Sequence, residues 1–402
     1  MVHTQGIEMY FYKYLRVDNL SLSMLRHGEV FFASPKELND IHECKPQFIF
    51  NANREIWTRF INEIIDSICI NLKLKPKSHA SMVLSSFKKE ILSTLLNKRK
   101  SLSLNYEETI KIISREISNK AFEELDFVDA RNVKKALNSY MQNELDTELN
   151  DKLYITSFSK SASILTMWGH YGNAEKGFAI VYETNDGDIS LESDIEIFPS
   201  ATKLSASSYS LGMSRFSKAK LLEVAYKNKP VRANAFRKLI PTFTFSDQED
   251  FYDYRETLLA DLQKYNENDI GRIKYTDWKY EKEMRLHLPV YDELAPPLRN
   301  IKISKQHIKG IIFGTNTSDN DKESILSACY YLKKSHAPEN ELYIFQAKSI
   351  PSQYKINITS LGRICDIHGR GLPLIEKVNP KKPEHSKHLE EILKMTEAIN
   401  AS

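Results

Sequence analysis

Leu153-Tyr-Ile-Thr-Ser-Phe158, then Met167-Trp-Gly-His-Tyr171, then Gly177-Phe-Ala-Ile-Val-Tyr182 is the stretch on which the fold turns. The first segment alternates with the period of two expected of a strand. The last is apolar and β-branched, again strand-prone. Between them Met167, Trp168 and Tyr171 share a helical face. Upstream the pattern is different. Ile56, Phe60, Ile64 and Ile68 recur every four residues, as do Phe87, Ile91 and Leu95, and a third series runs through Tyr106, Ile110, Ile113 and Ile117. These are amphipathic helix faces, and residues 51–150 therefore read as a helical insertion. Before it, the aromatic-rich Met9–Tyr14 predicts a strand. Asp18 or Asn19 caps a short helix that Gly28 ends, and Val30–Ala33 predicts a second strand. Further strands are expected at Leu221–Tyr226, Glu283–Leu288, Ile308–Phe313 and Glu341–Lys348, the last two around a helix at 319–334. Strands arriving separately, with helices between them, imply α+β rather than a regular βαβ array. The expected division is a core of residues 1–50 and 151–377, the insertion at 51–150, and a linker with a terminal helix at 378–402.

The chain has 402 residues, of which 41% are hydrophobic and 27% charged, with 13 Gly and 14 Pro. That balance excludes collagenous and low-complexity chains, and the length allows about two domains. A net charge of +3 means that any nucleic-acid surface would have to be local. No apolar run approaches a membrane span, and no secretory signal is expected at the opening residues. Cys44, Cys69, Cys329 and Cys365 are scattered without CxxC spacing, so a reducing cytoplasm is the expected setting. His385 with His388, and Cys365 with His368, make only fragments of a metal site, and no metal is expected. There is no GxGxxG, no GxxxxGK[ST], no GxSxG and no HExxH.

Polar and aromatic residues crowd four places beside predicted strands: Tyr12–Arg16, Phe32–Asp40, Phe158–Ser163 with Met167–Tyr171 and Lys176-Gly177, and Trp278–Arg285. Strand ends are where sites are usually built. Taken in order, Tyr-Lys-Tyr, Phe-x-Ser-Pro with Asn39-Asp40, Met-Trp-x-x-Tyr before a Gly strand, and Trp-x-Tyr-Glu-x-Glu-x-Arg resemble a bacterial family, the domain of unknown function 2971. The resemblance spans roughly residues 10–350. It departs at Ile41-His42, where Pro-Phe is expected, and in the length of the insertion.

That family is in turn similar, distantly, to the ADP-ribosyltransferases, which implies a mixed/antiparallel ADP-ribosyltransferase-like sheet core and NAD as cosubstrate. On this resemblance Glu283 is the catalytic carboxylate, with Glu281 two residues earlier on the same strand face. Lys13 or Tyr14 is the first-strand group that grips NAD, and the strand from Gly28 through Phe32 to Ser34 lines the nicotinamide pocket. Asn39, Asp40 and Tyr171 join the cosubstrate site, Tyr14 or Trp168 stacks on a ring, and Lys13, Arg16 or Arg285 neutralises the pyrophosphate. The chemistry suits a carboxylate: the nicotinamide–ribose bond breaks with positive charge growing on the sugar, and nicotinamide leaves as a neutral group. A bacterial toxin or antiphage effector modifying a protein or nucleic acid is the implied role, with an antitoxin or regulatory partner a further expectation.

Simpler readings stand beside these. Glu281 and Glu283 are equally read as surface residues paired with Lys279, Lys282 or Arg285, Trp168 as a core anchor, and Ser34-Pro35 as a turn. A second function class is a non-catalytic nucleotide or nucleic-acid sensor using Lys73, Lys75, Lys77, Lys88, Lys89, Lys98, Arg99 and Lys100, a cluster also read as a solvated helix face. A third is a nuclease holding Mg²⁺ on Asp40, Glu43, Glu281 and Glu283. The acidic run Asp247–Glu256 is read as a basic-partner surface or a helix face.

Overall fold

The computed structural model describes residues 8–40, 42–99, 104–145, 149, 153–203, 209–239, 270–290, 293–334, 341–366 and 373–402. It is a mixed α and β structure with helices and several sheets. The chain divides into two compact units: residues 1–43, 152–228 and 271–402 form one, and residues 44–151 and 229–270 the other. The 229–270 segment thus joins the helical unit, and the terminal helix Ser386–Ala401 belongs to the sheet unit.

The sheet unit is built on nine strands. From one edge the order is Leu222–Glu223, Glu283–His287, Ile155–Ser159, Met9–Leu15, Phe178–Thr184, Ile308–Phe313, Tyr343–Ile350, Lys355–Asp366 and Pro373–Glu376. Neighbours are antiparallel except Ile308–Phe313 with Tyr343–Ile350, which run parallel. The helix Asp319–Lys334 makes the crossover that a parallel pair requires. The alternation of the opening strand decides its two faces. Phe11 packs with Phe178, Ile180 and Tyr182 on one side, together with Val30, Ile301 and Ile303 from a second, four-stranded sheet. Tyr12 and Tyr14 face the other way, onto Trp168 and the terminal helix through Ile392, Met395 and Ile399. Asp18 caps the helix Asn19–His27 by accepting from Ser21 N at 2.8 Å, and Gly28 ends it at φ 71°, a left-handed conformation that glycine adopts at low cost. The Leu221–Tyr226 segment is two short strands, Leu222–Glu223 and Ala225–Lys227, which pair in different sheets.

In the helical unit, the three periodic faces become the helices Arg54–Asn71, His79–Arg99 and Tyr106–Glu124, and a further helix, Phe127–Ser139, follows them. Their apolar stripes close one core. At its centre Phe236, from beyond the expected insertion, meets Trp57, Phe50 and Phe60 edge-on at 4.9, 5.2 and 5.6 Å. Among the described residues no helix is long and apolar enough to cross a membrane.

Candidate active site

Three strands set the site. On one side the opening strand pairs with Phe178–Thr184 along its whole length, from Met9↔Thr184 to Leu15↔Phe178. On the other side its pairing with Ile155–Ser159 is reduced to Tyr12↔Ser159. The next strand pairs fully, with Glu283 opposite Ser159. Tyr12, Ser159 and Glu283 therefore stand in one row, and the sheet parts beside that row. Lys13 fills the parting: its Nζ donates to Thr156 Oγ1 at 2.9 Å and to the Ser157 carbonyl at 3.0 Å.

A cavity of about 180 Å³ opens there. Lys13 and Tyr14 from the opening strand line it, with Asn39 and Glu43 from the loop after the second strand, Tyr171, and Glu281 and Glu283 from about 270 positions downstream. The opening tyrosine–lysine strand and the late glutamates thus share one wall. Gly177 makes the strand approach possible, because a Cβ there would lie 2.1 Å from the Leu15 carbonyl oxygen.

The glutamates are buried, 2% and 3% exposed, and belong to a charged cluster. Glu283 takes a forked pair from Arg285, Nε to Oε1 at 2.7 Å and Nη2 to Oε2 at 3.0 Å, and a third bond from Lys274 at 3.0 Å. Glu281 takes one bond on each oxygen, from Lys274 at 2.7 Å and from the Tyr171 hydroxyl at 2.7 Å. Arg285 also pairs with Glu43. Three carboxylates thus face two cations, which leaves an excess negative charge with Lys13 as the nearby third cation. Burial pushes the Glu283 carboxyl up to about 7, against the pull of Lys274. Burial likewise draws the Lys13 ammonium down to about 8, with Glu283 opposing. Burial also works against the Lys274 ammonium, but Glu283 and Glu281 together raise it above its ordinary range.

Local structure explains the convergence. Lys274 sits in Ile273–Tyr275, which runs parallel to Ala225–Lys227, with Tyr226 opposite Lys274. The 3-10 turn Thr276–Glu281 then brings Glu281 back over Lys274, and Lys282, left-handed at φ 46° and ψ 51°, turns the chain into the strand that begins at Glu283. Ser159 Oγ pins the turn by donating to the Glu281 carbonyl at 2.7 Å, and the Tyr226 hydroxyl accepts from Glu283 N at 2.8 Å. Glu281 is therefore not on the strand face of Glu283, as the i, i+2 spacing suggested. It ends the preceding turn, and both carboxylates meet at one ammonium.

Several other candidates sit elsewhere. Phe32 is fully buried, because it shares its strand face with Val30 and packs in the apolar core with Val30 and Ile301 rather than at the cavity. Ser34 begins the short turn Pro35–Glu37, its amide and hydroxyl both bonded to Glu37 at 2.8 Å. Trp168 is a core anchor: its indole donates to the Ala162 carbonyl at 2.8 Å, and its ring braces Tyr14 edge-on at 4.9 Å. Arg16 is exposed and faces Asp18. Arg285 is spent on Glu283, Glu43 and the Gly271 carbonyl, so neither arginine is placed to neutralise a pyrophosphate. Asp40 holds its own loop by accepting from His42 N, whereas Asn39 reaches the Tyr171 hydroxyl at 3.3 Å. The surface pairings with Lys279 or Lys282 do not form, since the glutamates point inward to Lys274. The carboxylates Glu43, Glu281 and Glu283 that a nuclease would give to Mg²⁺ converge on the Lys274 ammonium, at 3.7, 2.7 and 3.0 Å.

In the helical unit Lys73, Lys75 and Lys77 lie in the loop before the helix His79–Arg99, and Lys88 pairs with Asp66 at 3.4 Å across to the preceding helix. Lys89 lies on the helix, while Lys100, the side chains of Lys98 and Arg99, and the acidic run 247–256 lie outside the described residues. His368 does too, and His388 meets Arg363 Nη1 at 3.0 Å. Sequence reasoning missed Lys274 altogether, along with the pinning residues Ser159 and Tyr226. An inward-facing lysine in a three-residue strand carries no periodic signal.

Residues 167–286 match the model of a family described as protein of unknown function (DUF2971). The match runs from the Met-Trp-x-x-Tyr helix through both glutamates, two of the four segments on which the resemblance rested. No curated protein and no solved structure matches the chain.

Proposed function

We propose that the chain is an NAD-using, ADP-ribosyltransferase-like enzyme whose reaction runs in the cavity between the opening strand and the late glutamates. The observation that carries this reading is that Lys13, Tyr14, Glu281 and Glu283 line one cavity although the chain separates them by about 270 positions. NAD would supply the ADP-ribosyl group on a weak glycosidic bond. The donor set fits its ribose–nicotinamide end: among the described residues each Glu281 oxygen accepts one bond and keeps a lone pair for a sugar hydroxyl, and Tyr14 lines the same cavity. Glu283, fixed by three N–H donors, would supply the negative charge that favours positive charge developing on the sugar. Lys274 keeps both carboxylates in place, and Tyr171 orients Glu281. At the phosphate end the fit is thinner, because Arg16 and Arg285 are turned elsewhere, and of the two lysines that line the cavity Lys274 is paired with Glu281 and Glu283, which leaves Lys13.

On this reading the acceptor is a protein or a nucleic acid, the setting a reducing cytoplasm in which the four cysteines stay free, and the role that of a toxin or defence effector held in check by a partner. The experiment is incubation with NAD labelled in the adenylate phosphate, with and without cell extract, following nicotinamide release and label transfer. Glu281→Gln and Glu283→Gln should each lower release by about 100-fold, the usual cost of removing one charge-stabilising group. Absence of release and transfer, with wild type and both variants alike, overturns the proposal.

A further inference from the structure

Residues 70–82 carry Lys73, Lys75 and Lys77 and no Asp or Glu, whereas residues 122–129 carry Glu123, Glu124, Asp126 and Asp129 and no Lys or Arg. Both segments lie at one end of the helical unit. Asp66 pairs with Lys88 at 3.4 Å and Glu90 with Lys120 at 2.7 Å, which ties the helices Arg54–Asn71, His79–Arg99 and Tyr106–Glu124 together at one level. Short connections make successive helices antiparallel. From that level, therefore, the first helix runs on to Ile70, the second runs back to Met82 and the third runs on to Phe122, by about 6, 9 and 3 Å at 1.5 Å per residue. Phe127 and Val128 follow at once, after the turn at 125–126. Ile70, Phe127 and Val128 are each at least 65% exposed, Met82 and Phe122 are exposed as well, and the rings of Phe122 and Phe127 lie 6.2 Å apart. Exposed apolar residues scattered singly need no explanation, but five at one end mark a surface that another molecule covers.

We infer that this end of the helical unit is a dimerisation surface and that its partner is a second copy of the chain. Charge decides the occupant. Lys73, Lys75 and Lys77 are all exposed, and so are the four acids of the turn. Lys120, just behind that turn, pairs with Glu90 and lies 3.8 Å from Glu123, so the acidic excess rests on Glu124, Asp126 and Asp129. A polyanion such as a nucleic acid would be drawn to the lysines and repelled by the acids beside them, and a polycation the reverse. The end is instead complementary to itself. Across a two-fold axis the lysine loop of one copy meets the acidic turn of the other, twice over, with the apolar side chains between them. One end of a helical bundle is a small surface, so the dimer is a weak one, with a dissociation constant on the order of micromolar. Dimer formation and NAD cleavage are separate properties, read by separate assays.

The experiment is sedimentation velocity of the intact chain at low salt, from about 1 to 100 μM. Wild type should pass from monomer to dimer across that range. Phe127→Ser should raise the dissociation constant at least about tenfold. Lys73→Glu with Lys75→Glu and Lys77→Glu should abolish the dimer, and so should Glu124→Lys with Asp129→Lys, because either change sets like charges against each other; Asp126 is left in place because it caps the helix Phe127–Ser139. An equimolar mixture of the two reversed variants should restore a dimer containing one of each, since both of its contacts are again opposite in sign. A wild type that stays monomeric throughout, a dimer that survives either reversal, or a mixture that does not associate overturns the inference. A monomer that binds a single-stranded oligonucleotide, and loses it on reversal of the lysines, overturns it in favour of a nucleic-acid surface. The wild-type measurement stands by itself, even where a variant folds poorly.

Discussion

Lys274→Met should unbalance the buried cluster in a way whose pH dependence is diagnostic. Its Nζ lies 2.7 Å from Glu281 and 3.0 Å from Glu283, with a side chain only 6% exposed. At an effective dielectric constant of roughly 20, each contact represents about 6 kcal/mol of gross attraction, most of it offset by the cost of dehydrating three ions. Removing one partner while leaving the others buried costs about 3–5 kcal/mol. Arg285 still compensates Glu283 in the variant, so the lower end of that range is expected. The sign with pH follows from Glu283, whose folded pKa of about 7 lies above its unfolded value. A carboxyl raised on folding contributes stability that is full below the unfolded value, roughly 4.3, and is lost as pH rises through the folded one. Without Lys274 the Glu283 carboxyl is raised further. The variant's deficit should therefore be small near pH 5, where the folded protein binds the proton, and at its largest near pH 8. Urea unfolding at both pH values checks this, read by pulsed hydrogen exchange at the peptide carrying Glu283–His287, with the peptide of the helix Arg54–Asn71 as an internal control. A deficit below about 1 kcal/mol at pH 8, or one equal at the two pH values, would refute the reasoning.

Tyr171→Phe removes the 2.7 Å hydroxyl bond to Glu281; a bond to a charged group is worth about 1.5–3 kcal/mol, so NAD cleavage should fall by at least about tenfold while near-UV circular dichroism stays unchanged. Glu37→Gln loses a forked pair to Arg299 at 2.5 and 3.0 Å, but Glu37 is 39% exposed, and solvent screening limits the cost to about 1 kcal/mol at neutral pH. Chiefly the Arg299 hydrogen bond holds the Glu37 carboxyl down to about 2, so that cost should persist above about pH 4.3 and disappear as pH falls through 2, which thermal melts across that range will report. Phe236→Ala opens a cavity among Trp57, Phe50 and Phe60 and should cost about 3–5 kcal/mol, seen as faster exchange in Arg54–Asn71 with the Glu283–His287 peptide unaffected.

The parts of the fold that could be read were those with a repeating physical demand. A helix face must recur every three to four residues and a strand face every two. Ile56 through Ile68 satisfies the helical period over enough residues to be unmistakable, while Phe178 through Tyr182 is legible as a continuous apolar run, buried on both faces of its strand. Asp18 and Gly28 are legible for a different reason, since an oxygen is needed to cap the first amides and a left-handed residue to close the last turn. Leu222–Glu223 and Ala225–Lys227 read as one strand because Leu221, Val224 and Tyr226 lend the run an apolar, strand-like character, and their separate partners, Glu283–His287 and Ile273–Tyr275, divide them. Phe236 belongs to the helical core by tertiary contact alone, about 120 positions after Ile117, the end of the last periodic face.

At the site the limit is sharper. Glutamates two apart in a run ending Met-Arg-Leu-His-Leu suggest a shared strand face, and that inference assumes extended backbone from Glu281 onward. Lys282 breaks the assumption by standing left-handed at φ 46°, where a side chain with a Cβ costs roughly 1 kcal/mol. A glycine there would have announced the turn; a lysine does not. The surroundings impose the conformation: Lys160 N donates to the Lys282 carbonyl at 2.9 Å, Ser159 Oγ fixes the Glu281 carbonyl, and Tyr226 holds Glu283 N. If residue 282 relaxed to extended backbone, Glu281 would swing off the Lys274 ammonium and lose Tyr171. Strain that a protein maintains with three separate hydrogen bonds, at the one residue between two buried carboxylates lining a cavity, is what a site with a geometric requirement on both carboxylates would display.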